Sequence, residues 1–139
     1  MSPYCFDTDV LSATLRGDPP LGLIRRLARL SPADQFTTAI TVGELVYGAS
    51  RRRSPALAER VRELLRSAQT ILAFDEPAAN VYGTLRARLA REGRRLDEPD
   101  LRIASIALAR DLTLVTGNTR DFARVHGLRV ENWLAEAEA

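Results

Sequence analysis

Short apolar runs alternate with longer amphipathic ones along the whole chain, and this alternation restricts the possible folds more than any other feature of the sequence. Such a pattern favours an α/β fold with a mainly parallel sheet, because each crossover between parallel strands needs a helix-length connection. Strands are expected at about 4–7, 36–40, 70–74, 112–116 and 128–130. Helices are expected at about 9–16, 21–30, 42–50, 55–68, 77–93, 99–110 and 119–124. Gly17-Asp-Pro-Pro20 separates the first two helices, and Ser31-Pro32 precedes the second strand. The fourth helix gathers Leu57, Val61, Leu64, Leu65 and Ala68 on one face. The sixth is apolar nearly all round apart from Arg102 and Ser105, so burial on more than one side is expected. The tail from Ala135 to Ala139 is expected to fray. At 139 residues the chain is long enough for one domain with a real core, spanning 1–139.

Four acids stand where strands hand over to helices. Asp7 ends the first apolar run, and Glu44 follows the second. Asp100 opens the sixth helix, and Asp121 follows the fourth strand and Asn118. In a parallel sheet the carboxyl ends of the strands converge on one edge, where ligands bind. Two carboxylates about 5 Å apart at an effective dielectric of about 20 repel by roughly 3 kcal/mol. A divalent cation removes that cost, and Mg²⁺ or Mn²⁺ favours oxygen ligands. The pattern therefore points to metal-assisted chemistry on a phosphate substrate.

Each acid also has a purely structural explanation. Thr41 and Glu44 fit a capping box, and Asp97 and Asp100 could form another, with Pro99 tolerated in the first turn. Asp9 is a good N-cap for the first helix, and Asp121 lies near the start of a short one. Asp7 is the hardest to explain this way. It closes a strand expected to be central, where an ionised carboxylate is expensive unless paired or metal-bound. Thr116 and Asn118 add neutral oxygen groups beside Asp121.

Composition excludes several chemistries. Apolar content of 45% and charged content of 27% are ordinary for a globular protein. Net charge is +2, and all 20 basic residues are arginine. Without lysine there can be no Schiff base and no P-loop lysine. Cys5 and His126 are the sole cysteine and histidine, so neither a disulfide within the chain nor a multi-histidine metal site can form. Cys5 is expected in the core and His126 in a surface loop. Asp7 and Asp9 interrupt any N-terminal apolar run, and no segment approaches the ~20 apolar residues of a membrane span. A soluble cytoplasmic protein is expected.

An Asp-x-Asp at Asp7-Thr8-Asp9 also suggests a phosphohydrolase of the haloacid-dehalogenase type. Leu11 stands where that class expects Thr or Val, and its downstream lysine is missing. A receiver domain fails on the same lysine.

The chain resembles PIN domains, specifically VapC-type toxin ribonucleases of bacterial toxin–antitoxin pairs. The resemblance is carried by Phe6-Asp7-Thr8-Asp9, by Thr41-Val-Gly-Glu-Leu-Val-Tyr-Gly48 and by Asp100-Leu-Arg-Ile-Ala-Ser-Ile-Ala107. Leu114-Val-Thr-Gly-Asn-Thr-Arg-Asp-Phe122 and Leu128-Arg-Val-Glu-Asn-Trp133 complete it. It implies a three-layer α/β/α domain around a sheet of about five strands. Asp7, Glu44, Asp100 and Asp121 would be its acidic metal-binding quartet, with Asp7 and Asp100 closest to Mg²⁺. Asn118, Thr116, Asp9 and Thr8 would be auxiliary. Mn²⁺ is expected to substitute. The implied reaction is endonucleolytic RNA hydrolysis leaving a 5′-phosphate and a 3′-hydroxyl. The implied partners are an RNA substrate and a small antitoxin, in a homodimer and a toxin–antitoxin hetero-oligomer. Leu96-Asp-Glu-Pro departs from the family, which often has a glycine near Asp97, and Glu98 is a further candidate for a second metal.

Arginine suits phosphate because of its planar fork of donors. Arg120, Arg91, Arg94 and Arg95 are the expected RNA contacts. Arg51-Arg-Arg53 is a candidate antitoxin contact. About half of the arginines near the acids are expected to be solvated helix surface. Tyr47 and Tyr82 are expected to pack in the core or an interface rather than stack on bases. An RNA-processing PIN nuclease without toxin function, or a weakly catalytic binding module, remains an alternative.

Overall fold

The computed structural model describes residues 3–67 and 70–134. Five strands form one sheet: β1 (Tyr4–Phe6), β2 (Gln35–Thr38), β3 (Thr70–Leu72), β4 (Thr113–Val115) and β5 (Val130–Glu131). Their order is β3-β2-β1-β4-β5, and every pairing is parallel. The helices are α1 (Thr8–Thr14), α2 (Leu21–Arg29), α3 (Ala39–Arg51), α4 (Pro55–Ser67), α5 (Glu76–Arg91), α6 (Glu98–Ala109) and α7 (Thr119–Phe122). A 3₁₀ turn, Pro32–Asp34, leads into β2.

Neighbouring side chains of a strand point to opposite faces, and this divides the core in two. Cys5 and Leu114 join Leu85, Leu89, Leu101, Ile103 and Ile106 in a cluster beneath α5 and α6. Phe6 and Val115 turn the other way and join Val10, Leu11, Leu23, Leu45 and Val61 beneath α1 to α4. The sheet is thus covered on both faces, as parallel sheets require. The expected burial of α6 holds: Leu101 and the run Ile103 to Ala107 are all buried. Cys5 is fully buried, which pushes its thiol up to about 12 and leaves it inert.

Trp133 ties the end of the described chain to the first strand. It is 3% exposed and makes edge-to-face contacts with Tyr4 at 4.9 Å and Phe6 at 5.5 Å between ring centroids. Its indole N–H donates to Glu131 Oε1 at 2.8 Å. This braces Phe6, the residue immediately before Asp7.

Several local expectations need correction. Asp9 does not cap α1; Asp7 does, its Oδ1 accepting from Thr8 N at 2.7 Å. Thr41 and Glu44 do not form a capping box. Helix α3 starts at Ala39, and Thr38 caps it by accepting from Thr41 N at 3.1 Å. Asp97 occupies the N-cap position of α6 but makes no side-chain cap bond. Tyr47 is 65% exposed and so lies outside the core. Tyr82 does pack, edge-on to Phe74. The fourth helix is described only to Ser67, so Ala68 and the tail beyond residue 134 lie outside the described residues. No helix among the described residues is long and apolar enough to cross a membrane.

Candidate active site

Asp7 sits at the carboxyl end of the central strand and is held from both sides. Its backbone N–H donates to Val115 O at 3.0 Å, while Thr37 Oγ1 on β2 donates to Phe6 O at 2.8 Å. Phe6 pairs with Val115, so the next residue of each strand is also adjacent. That places Thr116 beside Asp7, and its hydroxyl donates to Asp7 Oδ2 at 2.8 Å. The same hydroxyl oxygen accepts from Asn118 N at 3.0 Å. Asp7 is only 5% exposed, and burial pushes its carboxyl up to about 7. The two hydrogen bonds oppose that rise, while Asp9 and Asp100 add to it.

Asp100 lies in the first turn of α6 and is half-buried. Burial, then the charges of Glu44, Asp97, Asp121 and Asp9, push it up to about 6. It is therefore the point where the acids of four separate segments meet electrostatically. Glu44 reaches the site one turn beyond Thr41 on the same face of α3. Its Oε1 accepts from Thr8 Oγ1 at 2.5 Å, and Thr8 also meets Thr41 Oγ1 at 3.2 Å. Asp9 turns one oxygen onto Gly117 N at 2.9 Å, and loss of water there raises its carboxyl although the residue as a whole is exposed. Gly117 is required by this close approach, since a Cβ would stand 2.7 Å from Asp9 Oδ2. Asp121, in α7, accepts from Asn118 Nδ2 at 3.1 Å and pairs with Arg124 at 3.5 Å. Asn118 Nδ2 lies 3.5 Å from Asp100 Oδ2 and so spans the two acids.

The structure thus brings Asp7, Thr8, Asp9, Glu44, Asp100, Thr116, Asn118 and Asp121 together over one sheet edge. Asp97, read from sequence as a cap, belongs to the same electrostatic neighbourhood. The absence of a cap bond leaves its charge acting on Asp100. Glu98 does not. Tyr82 on α5 donates to it at 2.8 Å and so secures α6 against α5, while Arg102 on α6 pairs with it at 3.2 Å. Of the expected RNA contacts, Arg120 is exposed on α7 between Asn118 and Asp121. Arg91, Arg94 and Arg95 are exposed at and beyond the end of α5. Arg94 and Arg95 border a separate cleft of about 410 Å³ with Glu98 and Leu101. Arg88 and Arg102 are engaged in helix-surface ion pairs.

The donors at this edge are hard oxygens, and the charges acting most strongly on Asp7 and Asp100 are other carboxylates. That set fits Mg²⁺ or Mn²⁺. Among the described residues no three acidic, histidine or cysteine groups close into a full cage. A cage is not required, because Mg²⁺ keeps several waters and is commonly held by one or two carboxylates together with substrate phosphates.

The Thr116 hydroxyl yields a local prediction. Thr116→Val leaves Asp7 Oδ2 and Asn118 N without their partner, which costs roughly 1–3 kcal/mol. Chemical denaturation at pH 8 reads this loss, and a midpoint equal to wild type would contradict it.

Fold and site together define a parallel α/β protein with an acidic site on the carboxyl edge of its sheet. The family model described as PIN domain matches residues 4–128. The chain is 36% identical over 133 residues to the tRNA(fMet)-specific endonuclease VapC of Shigella flexneri, covering 96% of this chain and 99% of that protein. It is 34% identical to Ribonuclease VapC2 of Haemophilus influenzae, covering 96% and 100%. Among solved structures it is similar to DNA-bound VapBC from Salmonella typhimurium. There the TM-score is 0.85 at 34% identity, covering 96% of this chain and 99% of that one. The chain belongs to the PIN-domain family, in its VapC ribonuclease branch.

Proposed function

We propose that this protein is a Mg²⁺- or Mn²⁺-dependent endoribonuclease acting in the cytoplasm as the toxin of a toxin–antitoxin pair. The observation that carries the metal requirement is the pair Asp7 and Asp100. Both carboxyls are raised by burial and by other acids, and both lie at the carboxyl edge of the sheet. Asp7 and Asp100 would hold the ion, with Glu44 and Asp121 completing the acidic surround. When bound, the ion offsets the mutual repulsion of the acids, lowers the pKa of water and stabilises charge developing on the phosphate. The chain's own residues keep the acids in place. Thr116 and the Thr8 amide fix Asp7, Thr8 fixes Glu44, and Asn118 spans Asp100 and Asp121. Hydrolysis in this way leaves a 5′-phosphate and a 3′-hydroxyl.

The partner assignment draws on the relatives. The solved structures from Salmonella typhimurium and Rickettsia felis are VapBC assemblies bound to DNA. A small antitoxin is accordingly the proposed partner of this chain, in a hetero-oligomer built on a homodimer. The test is expression with and without the adjacent small gene. Alone, the chain should arrest growth and produce RNA breaks with 5′-phosphate ends. Together, growth should recover and a small protein should co-purify. Normal growth of cells expressing the chain alone, with no small partner recovered, would remove the toxin role and leave an RNA-processing nuclease.

A further inference from the structure

A cleft of about 350 Å³ opens from the acidic edge between α1, α3 and α4. Glu44 stands in its wall, and Arg16, Arg52 and Arg60 line it. Its floor is apolar, formed by the buried side chains of Leu45, Ala49 and Val61. Three guanidiniums beside a glutamate would ordinarily pair with it. Here Glu44 instead takes its hydrogen bond from Thr8, and among the described residues it has no ion-pair partner. Arg60 donates to the carbonyl of Leu15 at the end of α1, joining α4 to α1 across the cleft. Arg16 and Arg52 are exposed, and among the described residues neither has an ion-pair partner.

We propose that this cleft is a substrate subsite, in which Arg16 and Arg52 each bind one of two successive RNA phosphates beside the scissile one. The assignment rests on the nuclease reading of the acidic edge and extends it. Arg52, at the C-cap of α3, lies eight residues beyond Glu44, about 12 Å along the helix at 1.5 Å per residue. A strand crossing the acids therefore continues along α3 into the arginines. An acidic edge repels the phosphates on either side of the cut, and unpaired guanidiniums at its margin offset that repulsion. The apolar floor suits the face of a sugar or an unstacked base. Gly48 lines the cleft, and no side chain lies within 4 Å of where its Cβ would be, so the cleft stays open at its middle. An acidic peptide would also be attracted to guanidiniums, but the continuity of the cleft with Glu44 favours the strand that must pass over the acids.

The test is Arg16→Gln/Arg52→Gln, compared with the charge-matched Arg25→Gln/Arg29→Gln on α2. Steady-state cleavage of a single-stranded RNA is followed over a range of salt concentrations, and binding is followed in parallel. The first variant should raise KM about tenfold or more with kcat held within about twofold. Its plot of log affinity against log salt should be shallower by about 1.4, at ~0.7 for each phosphate contact to a single strand. Arg16→Gln alone should give about half that change in slope. The α2 variant should match wild type, and the Mn²⁺-induced rise in Tm should be the same in every variant. Unchanged KM and slope in the double variant, while wild type cleaves, would overturn the subsite. So would a double variant that cleaves like wild type but no longer co-purifies its protein partner, because the cleft would then be a protein-docking surface. Failure of wild type itself to cleave or to respond to Mn²⁺ would instead reject the nuclease reading.

Discussion

Asp7→Asn should abolish RNA cleavage while making the metal-free protein more stable. The two effects have one cause. Asp7 is almost wholly buried, and its ionised form is disfavoured by desolvation and by neighbouring acids. Removing that charge relieves the fold of a penalty on the order of 2–4 kcal/mol at pH 8. The amide keeps an oxygen for Thr8 N, and its NH₂ can donate to Thr116 Oγ1, so the local geometry survives. What disappears is a charged oxygen ligand, and with it several kcal/mol of transition-state stabilisation, roughly a thousandfold in rate. Asp100→Asn should lose activity similarly with a smaller gain in stability, because Asp100 is less buried. Single-turnover cleavage read beside urea denaturation separates the effects. Destabilisation of Asp7→Asn in the absence of metal would mean that the carboxylate serves the fold rather than a ligand.

Divalent metal should stabilise the protein strongly, and more so as pH rises. Asp7 goes from its ordinary value of 3.8 to about 7 on folding, and Asp100 from 3.8 to about 6. Between roughly pH 4 and 7 the folded state therefore holds more protons than the unfolded state, and metal-free stability falls across that window. Below it, both states are protonated and the difference vanishes. A cation binds the ionised carboxylates and must displace these protons, so its apparent affinity climbs through the same window. At one hundred times the dissociation constant the stabilisation reaches about 2.7 kcal/mol. The difference in Tm between Mn²⁺ and EDTA should be small at pH 5 and large at pH 8. A difference independent of pH would place the ion away from Asp7 and Asp100.

Most of this architecture was readable from the order of apolar runs, because in a parallel α/β chain the period of the pattern changes from strand to helix at every crossover. The strand-to-helix junctions were legible for the same reason, and they carry Asp7, Glu44 and Asp121 onto one edge; Asp100 instead enters from the connection between α5 and α6, with no strand before it. Helix starts were less legible. Thr41-x-x-Glu44 has the spacing of a capping box, yet α3 begins three residues earlier because Thr38 is available to cap it. Asp7 both caps α1 and faces the site, so capping and function were not alternatives at that residue. Glu98 had the same acidic character as its neighbours. Its i,i+4 ion pair with Arg102 could be read from the spacing, but only the packing of α5 on α6 brings Tyr82 to it. Arg16 and Arg60 lie 44 residues apart in the chain and line one cleft only when α4 folds against the end of α1, so their spacing carries no signal.

If the acids on this edge hold a divalent cation for RNA hydrolysis, cleavage must depend on both the metal and the carboxylates. The most direct test is cleavage of one defined RNA by EDTA-treated protein, before and after Mn²⁺ is restored, for wild type and Asp7→Asn/Asp100→Asn. Without metal there should be no cleavage, and wild type should cleave to 5′-phosphate ends once Mn²⁺ is added. The double variant should stay folded and inactive in both conditions. Equal cleavage in EDTA and Mn²⁺, or products ending in a 2′,3′-cyclic phosphate, would contradict hydrolysis at such a metal site.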